Sequence, residues 1–194
     1  MLLTEKLKNT NIILASQSPR RKELLAGLGL EFSTISLDID ETFDRNLYKR
    51  EQITELLSAK KAKAYTAIQP NDLIITSDTT VWVDDESLEK AETREEAYEM
   101  LKKLSGKTHS VYTSVTIRST EKEVTFSDET QVTFAKLSDE EIYFYIDNYK
   151  PFDKAGAYGV QEWIGYIGVD NMNGSYFNVM GLPTHKLYKE LIKF

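Results

Sequence analysis

The sequence predicts an α/β fold, a mixed, twisted β-sheet flanked by helices. Three observations predict it. Strand-like and helix-like segments alternate through the first half of the chain. Two long strands of alternating polarity follow each other in the middle. At 194 residues, the chain can bury a sizeable core in one domain or two small lobes.

Residues 12–15 read as a short buried strand. It feeds a helix over 18–28, with Ser18 at the N-cap, Pro19 at the first helical position and Gly29 as the stop; Leu24, Leu25 and Leu28 form its core stripe. A second strand is expected over 32–37, then the polar stretch DIDETFDRNLYKRE. A longer helix over 51–68 carries an apolar stripe at Ile53, Leu56, Leu57, Ala64 and Ile68. Asn71–Asp72 is a turn, and 73–83 is a strand too apolar at both ends to be exposed. A helix over 93–104 stops at Ser105–Gly106. Residues 110–118 and 123–135 form an antiparallel pair joined near 119–122. Ser138 with Glu141 three residues on marks a capped helix over 138–147. The remainder reads as the loop NYKPFDKAGAYG, a strand-like WIGYIGV, the turn NMNG and a final helix after Pro183.

Composition narrows the function classes. Hydrophobic content of 41% with 28% charged residues is ordinary for a soluble globular protein. No apolar run approaches the ~18 residues of a membrane span. Residues 1–10 lack the apolar segment of a signal peptide, so a cytoplasmic location without membrane attachment is expected. Absence of cysteine excludes disulfides and thiolate chemistry, and the separated His109 and His185 argue against a histidine-rich metal site. His109 is expected to cap or pack a strand, and His185 to lie on the surface of a first helical turn. The net charge of −7 argues against a nucleic-acid partner but leaves room for a local anion pocket.

Four charged features break the structural pattern. Arg20 and Arg21 fall in the first turn of the helix after Ser18, where the helix dipole disfavours cations. They are either surface arginines paired with Glu23 or other acids, or the grip of an anion site on free N–H groups. Lys60 falls inside the apolar stripe of the 51–68 helix and Lys61 on its flank. Such a lysine either snorkels or reaches over the core edge, and periodicity alone favours Lys60. Asp78 interrupts the apolar run LIITSDTTVWV, as a hydrogen-bonded bulge or as a metal ligand or general base. Glu41, in DIDET, belongs to a solvated loop or joins Asp78 in holding Mg²⁺ or Mn²⁺ against phosphate. Together these residues describe a nucleotide polyphosphate site, although neither GxxxxGK[ST] nor GxGxxG is present.

The segments LASQSPRRKELL, DIDET, LLSAKKAKA, SDTTV, LEK, MLKKLSGKTHSVYTSV, DKAGAYGVQ and GSYFNVMGLP follow one another in an order that resembles the Maf-like nucleotide pyrophosphatases, also called septum formation inhibitors. The resemblance runs from Asn11 to the final helix. It implies a fold of the Maf/ITPase-like kind, a single domain over residues 1–194 with two lobes, a central active cleft and no separable linker. It implies hydrolysis of a nucleoside triphosphate between the α and β phosphates, giving monophosphate and pyrophosphate, with a divalent cation as cofactor. Ser16, Arg20 and Arg21 would bind phosphate, and Glu41 and Asp78 would serve the metal and the attacking water. Asp78 would act as general base, and Lys61 and Lys90 would hold the polyphosphate. Thr79 and Gln161 would lie near the base. The family motif selects Lys61 where the helical wheel prefers Lys60. Ala91 stands where the family usually has proline, and Glu162 where it usually has glycine. SDTT resembles the branch acting on dTTP, UTP and modified uridine triphosphates, whereas the 7-methyl-GTP branch has glutamine after the aspartate. The resemblance also suggests a homodimer, and it carries an alternative role as a nucleotide-binding regulator of septum formation without essential catalysis.

Overall fold

A computed structural model describes residues 2–194. In chain order the elements are α1 (Leu3–Lys6), β1 (Asn11–Ala15), α2 (Pro19–Ala26), β2 (Ser33–Ile35), α3 (Glu51–Ala64), β3 (Asp72–Val83), β4 (Glu86–Leu88), α4 (Arg94–Leu104), β5 (Thr108–Arg118), β6 (Glu123–Phe134), α5 (Asp139–Tyr149), α6 (Trp163–Gly168), β7 (Val169–Asn173), α7 (Tyr176–Val179) and α8 (Thr184–Lys193). A short 3-10 turn at Pro151–Asp153 follows α5. The strands form one seven-stranded mixed sheet in the order β2-β1-β3-β5-β6-β7, with β4 paired to β3. β1 pairs in parallel with both β2 and β3, while β4 on β3 and β7 on β6 are antiparallel. Among the described residues no helix is long and apolar enough to cross a membrane.

The chain divides into two compact units. One comprises residues 2–78, Thr113–Asp128 and Gly181–Phe194; the other comprises Thr79–Tyr112 and Glu129–Met180. In the first, Ile13 and Ala15 of β1 pack with Ile74 of β3 under Ile35, Leu37, Tyr65 and Ile68. Leu24 and Leu25 bury the inner face of α2, and Gly29 ends its turn at φ +74°. In the second, α4 and α5 bury Ala97, Leu101, Leu104, Ile142, Tyr145 and Ile146. Thr93 caps α4, and Ser138 with Glu141 closes a reciprocal capping box on α5. His109 is buried, its Nε2 2.7 Å from the Tyr158 hydroxyl and its ring edge-on to Phe134. His185 is exposed in the first turn of α8.

Several expectations are corrected. WIGYIGV is not a strand: residues 163–168 form α6, in which only Ile164 and Gly168 are buried, a spacing of four that belongs to a helix. Apolar residues at four of its six positions had erased that period. NMNG is not a turn, because Asn171–Asn173 pair with β6 and the bend waits for Gly174 at φ +134°. α3 ends at Ala64, which is exposed; Ala62 takes the buried position. The short helices α1 and α7 had no periodic signal to announce them.

Candidate active site

The site in the first unit follows from strand register. β1 pairs Asn11 with Asp72 and Leu14 with Ile75. Continuing that register sets Ala15 beside Thr76, so β3 runs on past the end of β1 and brings Asp78 to the level of the turn that starts α2. Burial along β3 is continuous except at Asp78 and Thr79, which are half-buried. A strand paired in parallel ends beside a helix N-terminus, the usual setting for a ligand in an α/β sheet.

The turn itself is tightly specified. Ser16 Oγ accepts from the Ser18 N–H at 3.2 Å, and Ser18 Oγ accepts from the Arg21 N–H at 3.4 Å. With Pro19 at the first position and no acid in the first turn, the helix start is left electropositive. The Arg21 guanidinium turns back into the protein, its Nε donating to the Gly181 carbonyl at 2.8 Å. Ser77 Oγ donates to the same carbonyl at 3.0 Å. Burial holds the Arg21 pKa below the usual arginine value; Asp78 opposes that effect, Arg20 reinforces it and Glu41 opposes it. Those influences put Arg20, Arg21, Asp78 and Glu41 in one electrostatic neighbourhood.

Lys61 completes it. Its Nζ stands 2.7 Å from Asp78 Oδ1 and 2.8 Å from Glu41 Oε1. Side-chain exposure is 16% for Lys61, 14% for Asp78 and 52% for Glu41, so one partner is fixed in the wall and the other comes from the loop. Lys60, which periodicity favoured, instead donates to the backbone carbonyls of Asp40 at 2.6 Å and Thr42 at 3.3 Å, on either side of Glu41. Asp40 accepts from the Thr42 N–H and hydroxyl, which lowers its pKa and tightens that turn. Adjacent lysines therefore hold the DIDET loop by two handles, one on its backbone and one on the Glu41 carboxylate. Neither Ser77 nor the backbone role of Lys60 was marked in the sequence, since a buried serine and a surface lysine are unremarkable by type.

Three cations, Arg20, Arg21 and Lys61, stand against two carboxylates, an arrangement receptive to a polyanion. The carboxylates of Glu41 and Asp78 also suit a divalent cation. Both aim at one point, where the Lys61 ammonium stands in for positive charge, and both offer hard oxygen donors. Among the described residues no group of three or more His, Asp or Glu is placed to hold a metal, so phosphate oxygens and water would complete such a shell.

The remaining expected residues belong to the second unit. Lys90 is exposed and joins Ala155 in an isolated bridge. Thr79 follows Asp78 on β3. Gln161 is half-buried, and its Oε1 is a buried acceptor without a hydrogen-bond partner. Glu162 pairs with the buried ammonium of Lys154 at 3.1 Å and accepts from the Tyr145 hydroxyl, which in turn accepts from the Gly159 N–H at 2.9 Å. That ring ties down the loop next to Gln161, using the glutamate that stands in place of the expected glycine.

The family model for Maf-like proteins matches residues 11–194. A protein of Bacteroides thetaiotaomicron named dTTP/UTP pyrophosphatase is 53% identical over 189 residues, covering 96% of this chain and 97% of its own. Proteins of the same name from Flavobacterium psychrophilum and Phocaeicola vulgatus are 50% and 52% identical, covering 98% of this chain and 98% and 100% of theirs. Among solved structures, the Staphylococcus aureus Ham1 protein is 17% identical with a TM-score of 0.44, covering 81% of this chain and 91% of its own.

Proposed function

From a chain that belongs to the Maf-like protein family, we infer a nucleoside triphosphate pyrophosphatase acting on dTTP and UTP. One observation of the site carries the inference. The Lys61 ammonium bridges the carboxylates of Asp78 and Glu41 in the electrostatic neighbourhood of Arg21, so charge of both signs is assembled where a polyphosphate and its counter-ion would meet. Water adds to the α phosphorus, the bond from that phosphorus to the oxygen bridging to the β phosphorus breaks, and monophosphate and pyrophosphate leave.

Arg20, Arg21 and Ser16, at the electropositive start of α2, bind phosphate oxygens, where forked guanidinium donors fit best. Asp78 takes the proton from the attacking water. Lys61 neutralises charge on the polyphosphate and keeps the Asp78 carboxylate aimed, and Lys90 grips the polyphosphate from its own loop. Glu41 and Asp78 would hold Mg²⁺ or Mn²⁺, which would supply charge stabilisation to the phosphate oxygens. Thr79 and Gln161 meet the base. The orphaned Gln161 Oε1 supports this, because thymine and uracil offer an imide N–H to such an acceptor whereas cytosine offers a bare ring nitrogen.

The test is incubation of the purified protein with Mg²⁺ or Mn²⁺ and a panel of dTTP, UTP, CTP, GTP and 7-methyl-GTP, with pyrophosphate and orthophosphate measured separately. Pyrophosphate with dTMP or UMP is expected. Orthophosphate alone, or pyrophosphate from 7-methyl-GTP alone, contradicts the assignment.

A further inference from the structure

α3 meets the sheet of the first unit through hydroxyl groups where an apolar seam would be ordinary. Thr54, Ser58, Thr76, Ser114 and Thr116 are all fully buried. Thr54 Oγ1 and Ser114 Oγ lie 2.6 Å apart, and Thr116 Oγ1 donates to Ser58 Oγ at 3.1 Å. Thr76 Oγ1 donates to the Ser58 carbonyl at 2.7 Å. At the end of the helix, the Arg118 guanidinium donates to the carbonyls of Ala62 at 2.9 Å and Tyr65 at 3.3 Å.

Two periodicities make one of these bonds special. Thr76 and Asp78 are two residues apart on β3 and share a strand face. Ser58 and Lys61 are three apart on α3 and share a helix face. The Thr76–Ser58 bond and the Asp78–Lys61 bond are therefore successive rungs of one ladder between the same two elements. Apolar side chains tolerate small slips and rotations, whereas a hydrogen bond restricts both distance and angle. A slip of the helix would take the Lys61 ammonium away from Asp78.

We propose that Thr76 is a positioning residue: its hydroxyl, bonded to the Ser58 carbonyl, sets the register of α3 on β3 and thereby the approach of Lys61 to Asp78. The consequence for turnover rests on the pyrophosphatase reading. The consequence for the lysine does not. The Ser58 carbonyl lies inside a helix and has the N–H four residues on as its ordinary partner, so loss of the Thr76 bond does not orphan it. Thr76→Val keeps shape and removes the hydroxyl. Thr76→Ser keeps the hydroxyl and removes a buried methyl.

The two substitutions separate positioning from stability. Thr76→Val is expected to lower kcat for pyrophosphate release from dTTP by about 10- to 100-fold, with KM and melting temperature near those of the parent. Thr76→Ser is expected to melt earlier yet keep kcat close to the parent. Unchanged kcat in Thr76→Val, or kcat following melting temperature through both variants, overturns the proposal. If the parent protein releases no pyrophosphate, the functional reading fails. The positioning is then decided by the Lys61 side-chain ammonium resonance, assigned by its loss in Lys61→Arg. It is expected to shift in Thr76→Val and not in Thr76→Ser; an unmoved resonance in Thr76→Val overturns the proposal independently.

Discussion

Lys61 Nζ lies 2.7 Å from Asp78 Oδ1 and binds Glu41 with the same ammonium, so a helix, a central strand and a polar loop are tied at one atom. Replacement of that atom has a clear electrostatic sign. Lys61→Met leaves two carboxylates facing each other without their shared cation, and removes the donor proposed to meet the polyphosphate. Pyrophosphate release from dTTP is expected to fall by ~10²–10³-fold, the scale of losing one pre-organised charge-stabilising group. Titrating Mg²⁺ in the same assay checks the cause: added metal should restore part of the rate by replacing the missing charge.

Arg21 carries a structural bond beside the phosphate role proposed for it, and the two separate cleanly. In Arg21→Ala the Gly181 carbonyl keeps its bond from Ser77 Oγ, so the stability change stays within about 1 kcal/mol. Turnover at low dTTP should nevertheless collapse, and Arg21→Lys should not restore it, since a point charge lacks the forked donors. Steady-state kinetics beside a thermal melt measures both effects.

Much of this site was legible because its residues violate local expectation. Two arginines against a helix dipole and an aspartate within a buried strand stand out in any reading of residues 15–21 and 73–83, and the structure sets both groups at the carboxyl end of β1. The Ser105–Gly106 stop marked the end of α4, and the capping signal at Ser138 located α5, for the same reason, that they are chemically specific. The helical wheel failed between Lys60 and Lys61 because a lysine stem is long enough to reach round a helix face. α6 was illegible because its apolar residues obey no period, and the Glu162–Lys154 pair because it depends on how a loop folds back. Thr76 escaped notice because a threonine inside a strand is unexceptional until its acceptor is known.

His109 predicts an acid response that is independent of the site. Burial pushes its pKa down to about 4, below the unfolded value of 6.5. Between those values the unfolded chain binds a proton that the folded protein refuses, so stability falls as pH drops from 6.5 to 4 and this contribution flattens below. The loss is on the order of 3 kcal/mol over the window. The melting temperature of the parent should decline across it, and His109→Gln should remove most of that slope. Asp40, Asp139 and Asp147, whose hydrogen bonds lower their pKa values, lose their contribution only at more acidic pH.

Gly165 is required by close packing. A Cβ there would meet the Val160 carbonyl oxygen at 1.8 Å, a backbone atom that cannot swing aside. Gly165→Ala should therefore destabilise the protein by ~1–3 kcal/mol or displace residues 160–165. Since Gln161 sits in that segment, base selectivity should loosen with it; a thermal melt and the ratio of dTTP to CTP turnover report the two consequences.

The central claim is that the Asp78 carboxylate performs the proton transfer in a fold that does not depend on it for stability. The direct measurement is pyrophosphate release from dTTP by Asp78→Asn beside the parent, each with its melting temperature. The account predicts a loss of at least about 100-fold with the melting temperature nearly unchanged. An Asp78→Asn protein that keeps most of its turnover would contradict it.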